Sequence, residues 1–294
     1  MPLDAAMPYA TRHVDVLGRR MAYVEVGTGT PIVLLHGNPT SKYLWRNVIP
    51  HLADRGRCIA PDLIGMGESD PIPGEGDDRY TFVEHRRYLD AFLEAVGATD
   101  DVVLVIHDWG SGLGFDWANR HRDAVRGLAY MEAIVRPVTW QDWPEDARSI
   151  FQAMRSEAGE SIVLDKNLFV EAILPSAILR DLTPEEHEAY RAPFAEAGER
   201  RRPTLTWPRQ IPIDGKPADV HQIVSDYADW LASDDSPPTL FLDADPGSIL
   251  VGPQRDFARS WPNQDEVTIA GAHFVQEDSP DEIGAAVAAW IDRL

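Results

Sequence analysis

The stretch Val102-Val-Leu-Val-Ile-His-Asp-Trp-Gly-Ser-Gly-Leu-Gly-Phe115 constrains the fold more than any other part of the chain. Its first five residues form a continuous, largely β-branched apolar run, which suits a strand buried on both faces of a parallel sheet. His107-Asp-Trp-Gly110 interrupts the run, and residues 111–121 read as a glycine-rich helix. Strand, sharp turn and helix make a nucleophile elbow, which lifts one side chain above the carboxyl edge of the sheet. Here that side chain belongs to Asp108, where a serine is the commoner choice.

The remaining chain supplies a sheet to carry such an elbow. Short alternating runs at 13–16 and 20–26, around Gly18, read as an antiparallel hairpin. Residues 31–35 form a buried strand stopping at His36-Gly-Asn-Pro39, and 57–61 form another that ends in the turn-rich Asp62-Leu-Ile-Gly-Met-Gly-Glu-Ser69. Helical spacing appears at 44–54 and 81–96, and a further strand at 125–131 ends in Glu132. Strands alternating with helices imply a parallel sheet covered on both faces, with right-handed crossovers. From 136 to 212 the pattern changes to helix-like segments rich in aromatics and prolines. Strands return at 238–243 and 266–270, followed by a last helix at 280–294. The expectation is an α/β core of residues 1–135 and 213–294, with a helical lid inserted at 136–212.

The chain's 294 residues suffice for such a core. Its 48 acidic against 27 basic residues give a formal charge of −21, which disfavours nucleic acid and anionic membrane surfaces as partners. One cysteine, Cys58, excludes an internal disulfide and argues against a cysteine-based zinc site; it reads as a small core residue. No apolar stretch approaches the ~20 residues that span a bilayer. With no visible signal peptide, a cytoplasmic location is expected, and a monomer is the default.

In open α/β sheets, ligands sit beyond the carboxyl ends of the strands. Asn38, Asp108, Glu132 and Asp243 with Asp245 all fall at such ends, and His273 lies in the loop after the last strand. An aspartate after a strand often only caps the next helix. Trp109, Gly110, Gly112 and Gly114 favour the elbow instead. The order nucleophile, acid, histidine matches the α/β-hydrolase triad, which makes His273 the candidate base. Its orienting acid is Glu132, Asp243 or Asp245, an alternative the sequence leaves open. His36-Gly-Asn-Pro39 is either a plain turn or an oxyanion loop. The Asn38 amide and the Trp109 indole bring two N–H donors, a pair suited to a spherical, weakly basic anion such as a halide.

His36-Gly-Asn-Pro39, Asp62-Leu-Ile-Gly-Met-Gly-Glu-Ser-Asp70, His107-Asp-Trp-Gly110, Tyr130-Met-Glu132 and Gly271-Ala-His-Phe-Val-Gln-Glu-Asp278 together resemble the haloalkane dehalogenases. The branch most resembled includes the lindane-pathway enzyme, and Arg202-Pro-Thr-Leu-Thr-Trp-Pro-Arg-Gln-Ile-Pro212 extends the likeness into the lid. The resemblance implies an α/β-hydrolase fold, a mostly parallel eight-stranded sheet with an inserted helical cap. It implies Asp108 as nucleophile, His273 as base, Glu132 as acid, and Asn38 and Trp109 as halide-binding and oxyanion residues. It also implies a substrate pocket of Trp143, Phe151, Phe169, Ala177, Trp207, Pro208, Ile211, Ser248 and Ile249, taking small apolar halogenated substrates and water without cofactor or metal. For any one of these pocket residues alone, ordinary packing competes with the functional role. Epoxide hydrolases use the same fold but protonate an alkoxide with two lid tyrosines, and between 136 and 212 this chain has only Tyr190. A luciferase-like oxygenase and a non-catalytic receptor are the other classes the fold admits.

Overall fold

The computed structural model describes residues 4–294. Eight strands, β1 (Arg12–Val16), β2 (Arg19–Val26), β3 (Pro31–Leu35), β4 (Arg57–Pro61), β5 (Val102–Asp108), β6 (Val125–Ala133), β7 (Thr239–Pro246) and β8 (Gln264–Gly271), form one sheet. Their order is β1-β2-β4-β3-β5-β6-β7-β8. All strands run parallel except β2, which pairs antiparallel with β1 and β4. The β1–β2 hairpin turns through Leu17 and Gly18, both at positive φ, the conformation that two-residue hairpin loops require.

Burial on both faces follows from the period of two along the strands. Val33, Leu35, Leu104 and Ile106 face one layer, with Leu89 and Phe92 of helix Phe82–Ala95, Phe115 of helix Trp109–Arg120 and Tyr227 of helix Ala218–Leu231. Ile32, Leu34, Val103 and Val105 face the other, with Ile49, Leu52 and the Ile283, Val287 and Trp290 stripe of helix Pro280–Ile291. Cys58 on β4 is buried in this second layer.

The helix expected over 44–54 is broken in two. A 3-10 turn, Lys42–Trp45, is followed by a single α-turn, Ile49–Leu52, with Pro50 in its first turn. Pro50 has no N–H to donate and its ring excludes a carbonyl one turn back, so a continuous helix is not available there. The elbow helix starts at Trp109, two residues earlier than its glycine pattern suggests.

Between β6 and β7 the described elements are helical, apart from isolated bridges of Ile213 to Val138 and Lys216. Helices Glu145–Met154 and Arg202–Gln210, with the turns Glu160–Asp165 and Phe169–Ile173, contribute a small core of Met154, Val163, Leu164, Phe169 and Leu205. Arg155 and Arg209 stitch this segment by donating to the carbonyls of Pro208, Ile211 and Met154. Among the described residues, no helix is long and apolar enough to cross a membrane.

Candidate active site

Asp108 closes β5 with φ 47° and ψ −127°, a backbone conformation that costs a non-glycine residue on the order of 1–3 kcal/mol. Two glycines make the turn possible. A Cβ on Gly37 would overlap the Asp108 carboxylate, and one on Gly110 would overlap the Leu35 carbonyl. Ser111 fixes the turn from below, donating to the Asp108 carbonyl and accepting the Ile134 N–H at 2.9 Å.

The two oxygens of Asp108 have different surroundings. Oδ2 accepts the Asn38 backbone N–H at 2.7 Å, and the Trp109 backbone N–H also donates to the carboxylate. Oδ1 lies 3.8 Å from Nε2 of His273. Burial raises the Asp108 carboxyl above its ordinary value, although His273 and the two backbone donors pull the other way. The loop that supplies Asn38 is pinned by His36, whose Nδ1–H donates to the Gly37 carbonyl while Nε2 accepts the Leu63 N–H. That arrangement needs a neutral ring, and burial holds His36 down at about 4.

His273 stands in the loop after β8, with Nδ1 donating to Glu132 Oε2 at 3.1 Å. Glu132, at the end of β6 with φ 41°, is itself held by the backbone N–H groups of Ser248, Ile249 and Leu250. Burial alone would lower the imidazole, but the bond to Glu132 and the nearby Asp108 charge outweigh it and raise His273 above its usual value. Asp243 is engaged elsewhere, paired with Arg255 at 2.8 Å and Arg259 at 3.0 Å, and Asp245 is exposed. Of the three strand-end carboxylates, the imidazole is bonded to Glu132.

A cavity of about 510 Å³ opens above Asp108 and reaches Asn38, Trp109 and His273. The Asn38 amide gives one N–H to the Thr204 carbonyl at 3.3 Å, which leaves its second N–H free. Of the pocket residues expected from sequence, Trp143, Phe151, Phe169, Ala177, Pro208, Ile211, Ser248 and Ile249 line this cavity.

An α/β-hydrolase-fold family matches residues 30–280. A haloalkane dehalogenase of Sphingobium indicum is 60% identical over 291 residues, covering 98% of both chains. One of Mycolicibacterium smegmatis is 50% identical over 99% of this chain and 94% of its own. Among solved structures, a haloalkane dehalogenase from Bradyrhizobium elkani superposes with a TM-score of 0.89 at 44% identity, over 97% of this chain and 98% of its own. The chain belongs to the haloalkane dehalogenases.

Hydrolytic dehalogenation is thus the chemistry that this dehalogenase site has to perform. One expected pocket residue does not take part directly. Trp207 is fully buried and does not line the cavity; it stacks on Trp109 at 4.6 Å and on His85 at 4.2 Å, forming a three-ring pile behind the indole that faces the cavity. Its width and flat face suit it to hold Trp109 in place.

Sequence reading also missed a buried charge cluster in this dehalogenase. Arg46 pairs with Glu277 at 2.6 Å and Glu186 at 3.0 Å, and Arg180 pairs with both glutamates. Tyr190 donates its hydroxyl to Glu277. The cluster joins the core, the helical segment and the helix Val275–Asp278 immediately beyond His273. Four charged residues scattered over more than two hundred positions carry no local signal of that meeting. Among the described residues there is no cluster of three metal-ligating side chains.

Proposed function

We propose that this chain hydrolyses haloalkanes to alcohol, halide and proton through a covalent alkyl ester on Asp108. The observation that carries the reading is the division of labour within the Asp108 carboxylate at the cavity, one oxygen held by the Asn38 backbone N–H and the other 3.8 Å from the imidazole.

Oδ1 attacks the halogen-bearing carbon in line, and the carbon–halogen bond breaks with its electron pair leaving on the halide. A carboxylate stripped of water in an apolar pocket is more reactive than one in bulk solvent. Halide is a stable anion and needs no proton, only donors to replace its hydration, which the Asn38 amide and Trp109 indole supply. Oδ2 becomes the ester carbonyl oxygen, already bonded to the Asn38 backbone N–H, with the Trp109 backbone N–H as the second donor to the group. His273 then takes a proton from water, the resulting hydroxide adds to the ester carbon, and those N–H groups receive the oxyanion. Glu132 holds the imidazole by Nδ1 and stabilises its cationic form. Collapse breaks the bond to the alkyl oxygen, which leaves as the alcohol with the hydroxyl proton; the carboxylate is restored, and His273 gives its proton to solvent.

Alkylation also tunes the base. Once Asp108 is an ester its negative charge is gone, and with it one of the influences raising His273. The imidazole is then more readily neutral at the moment it must accept a proton.

In this reading residues 136–212 are a cap closing the pocket over a core of 1–135 and 213–294, acting as a monomer in the cytoplasm. Epoxide hydrolysis lacks its acid, because Tyr190 is buried against Glu277 and does not line the cavity. Halide release from 1,2-dibromoethane, 1-bromobutane and 1-chlorobutane tests the activity, with Asp108→Ala as the control that must be silent.

A further inference from the structure

The proposed chemistry leaves one buried titratable ring beside the nucleophile unused. His107 precedes Asp108 on β5 and is fully buried. Its Nε2 lies 2.8 Å from the backbone carbonyl oxygen of His273, and the two imidazole rings are 4.8 Å apart. A carbonyl only accepts, so Nε2 carries the proton and donates. Nδ1 is then bare, and it is buried with no hydrogen-bond partner.

For packing alone this is a poor choice. Val103 and Val105, on the same face of β5, lie in an apolar layer, where an aliphatic side chain would fill the space without an orphaned nitrogen. What the ring provides is its reach to the base. β8 is an edge strand, paired only with β7, so no further strand braces the loop that carries His273. The backbone there is held at Ala272, His273 and Phe274. Asp278 accepts the Ala272 N–H at 3.0 Å, the Ala177 carbonyl accepts the Phe274 N–H at 3.1 Å, the Phe274 carbonyl accepts the Glu277 N–H at 2.8 Å, and His107 holds the His273 carbonyl. Of these partners, His107 alone comes from the nucleophile's own strand, one rigid peptide unit from Asp108.

We propose that His107 is a positioning residue for the base, fixing how closely His273 Nε2 approaches the ester carbon on Asp108. Burial and the neighbouring His273 keep the His107 ring well below its usual value, so it stays neutral and does not compete for the proton. The proposal rests on the roles given to Asp108 and His273, and it concerns the second chemical step alone. Displacement of halide by Asp108 does not use His273, whereas hydrolysis of the ester does.

The test is rapid-quench kinetics with 1-bromobutane on wild type, His107→Leu and His107→Gln. In His107→Leu, which has no donor, the first equivalent of bromide should appear at close to the wild-type rate. Ester hydrolysis should slow by at least about tenfold, since misplacement by about 1 Å can cost on the order of a hundredfold. The alkylated protein should then accumulate in the mass spectrum. His107→Gln keeps an N–H donor and should recover most of the hydrolysis rate. Equal slowing of both steps, no slowing, or a glutamine variant no better than leucine would overturn the proposal. If His107→Leu does not fold, nitrogen NMR of the wild-type protein decides: the ring should be the Nε2-protonated tautomer, and a proton on Nδ1 overturns it. A His273→Ala enzyme that turns over normally would instead sink the base assignment itself, whatever His107 does.

Discussion

Asp108 Oδ1 lies 3.8 Å from His273 Nε2, too far for a direct hydrogen bond, while the same imidazole is bonded at 3.1 Å to Glu132 on its other side. That Asp108 oxygen is therefore not tied up by the imidazole. In the proposed mechanism it is the nucleophile, and the base is held ready for a water that acts only after the ester has formed.

The leaving-group donors should be separable from the rest of the site. Replacing Trp109 by Phe removes the indole N–H while keeping an aromatic ring, and Asn38→Ala removes the amide. Loss of one such donor typically costs ~2.7–4 kcal/mol, or about 10²–10³ in kcat. The deficit should be larger for 1-chlorobutane than for 1-bromobutane, because chloride is the poorer leaving group. Equal losses for both substrates in steady-state halide release would show that these donors do not act on the departing halide.

The acidic limb of the pH profile should belong to His273. The base acts when neutral and on the alkylated enzyme, where Asp108 carries no charge and Glu132 is the carboxylate left to raise it, so activity should fall as pH drops through the His273 pKa. In Glu132→Gln the raising carboxylate is gone, so the limb should move to lower pH while the plateau rate falls. A limb that stays in place would mean that another group controls it.

Ala177 lines the cavity and its carbonyl holds the Phe274 N–H next to the base. In the proposed reading its small side chain sits at an open entrance. Ala177→Leu should narrow the entrance and shift the preference from cyclic towards linear haloalkanes, read as the ratio of kcat/KM for bromocyclohexane and 1-bromobutane. An unchanged ratio would show that this position does not control entry.

The buried cluster around Arg46 should carry stability. Arg46→Met leaves Glu277 and Glu186 short of a cation and should cost about 3–5 kcal/mol in urea denaturation. Burial would raise the Glu186 carboxyl, but Arg180, the Thr183 N–H and Arg46 outweigh it and hold it at about 2. A depressed carboxylate stabilises the fold above its unfolded value and loses that contribution as pH falls towards 2. The acid-unfolding midpoint of Arg46→Met should therefore move upward, measured by circular dichroism. An unmoved midpoint would show that Glu186 does not govern acid stability.

The elbow, the parallel sheet and the meeting of Asp108, His273, Asn38 and Trp109 were legible because each rests on a local pattern, an apolar run or a turn at a strand end. Glu132 and Asp243 look alike in sequence, since both end strands. Only the fold shows that Arg255 and Arg259 occupy Asp243 while three backbone donors and His273 converge on Glu132. Trp207 was misplaced for a related reason, because aromatic bulk says that a residue is buried but not which ring it lies against. His107 and Arg46 act on partners 166 and 231 positions away, a separation that no periodicity encodes.

The most direct test of the covalent mechanism is the mass of His273→Ala after incubation with 1-bromobutane. With no base to hydrolyse the ester, each chain should gain one butyl group on the peptide containing Asp108 and release one equivalent of bromide. An unmodified protein that continues to release bromide, or a butyl group on any other residue, would contradict it.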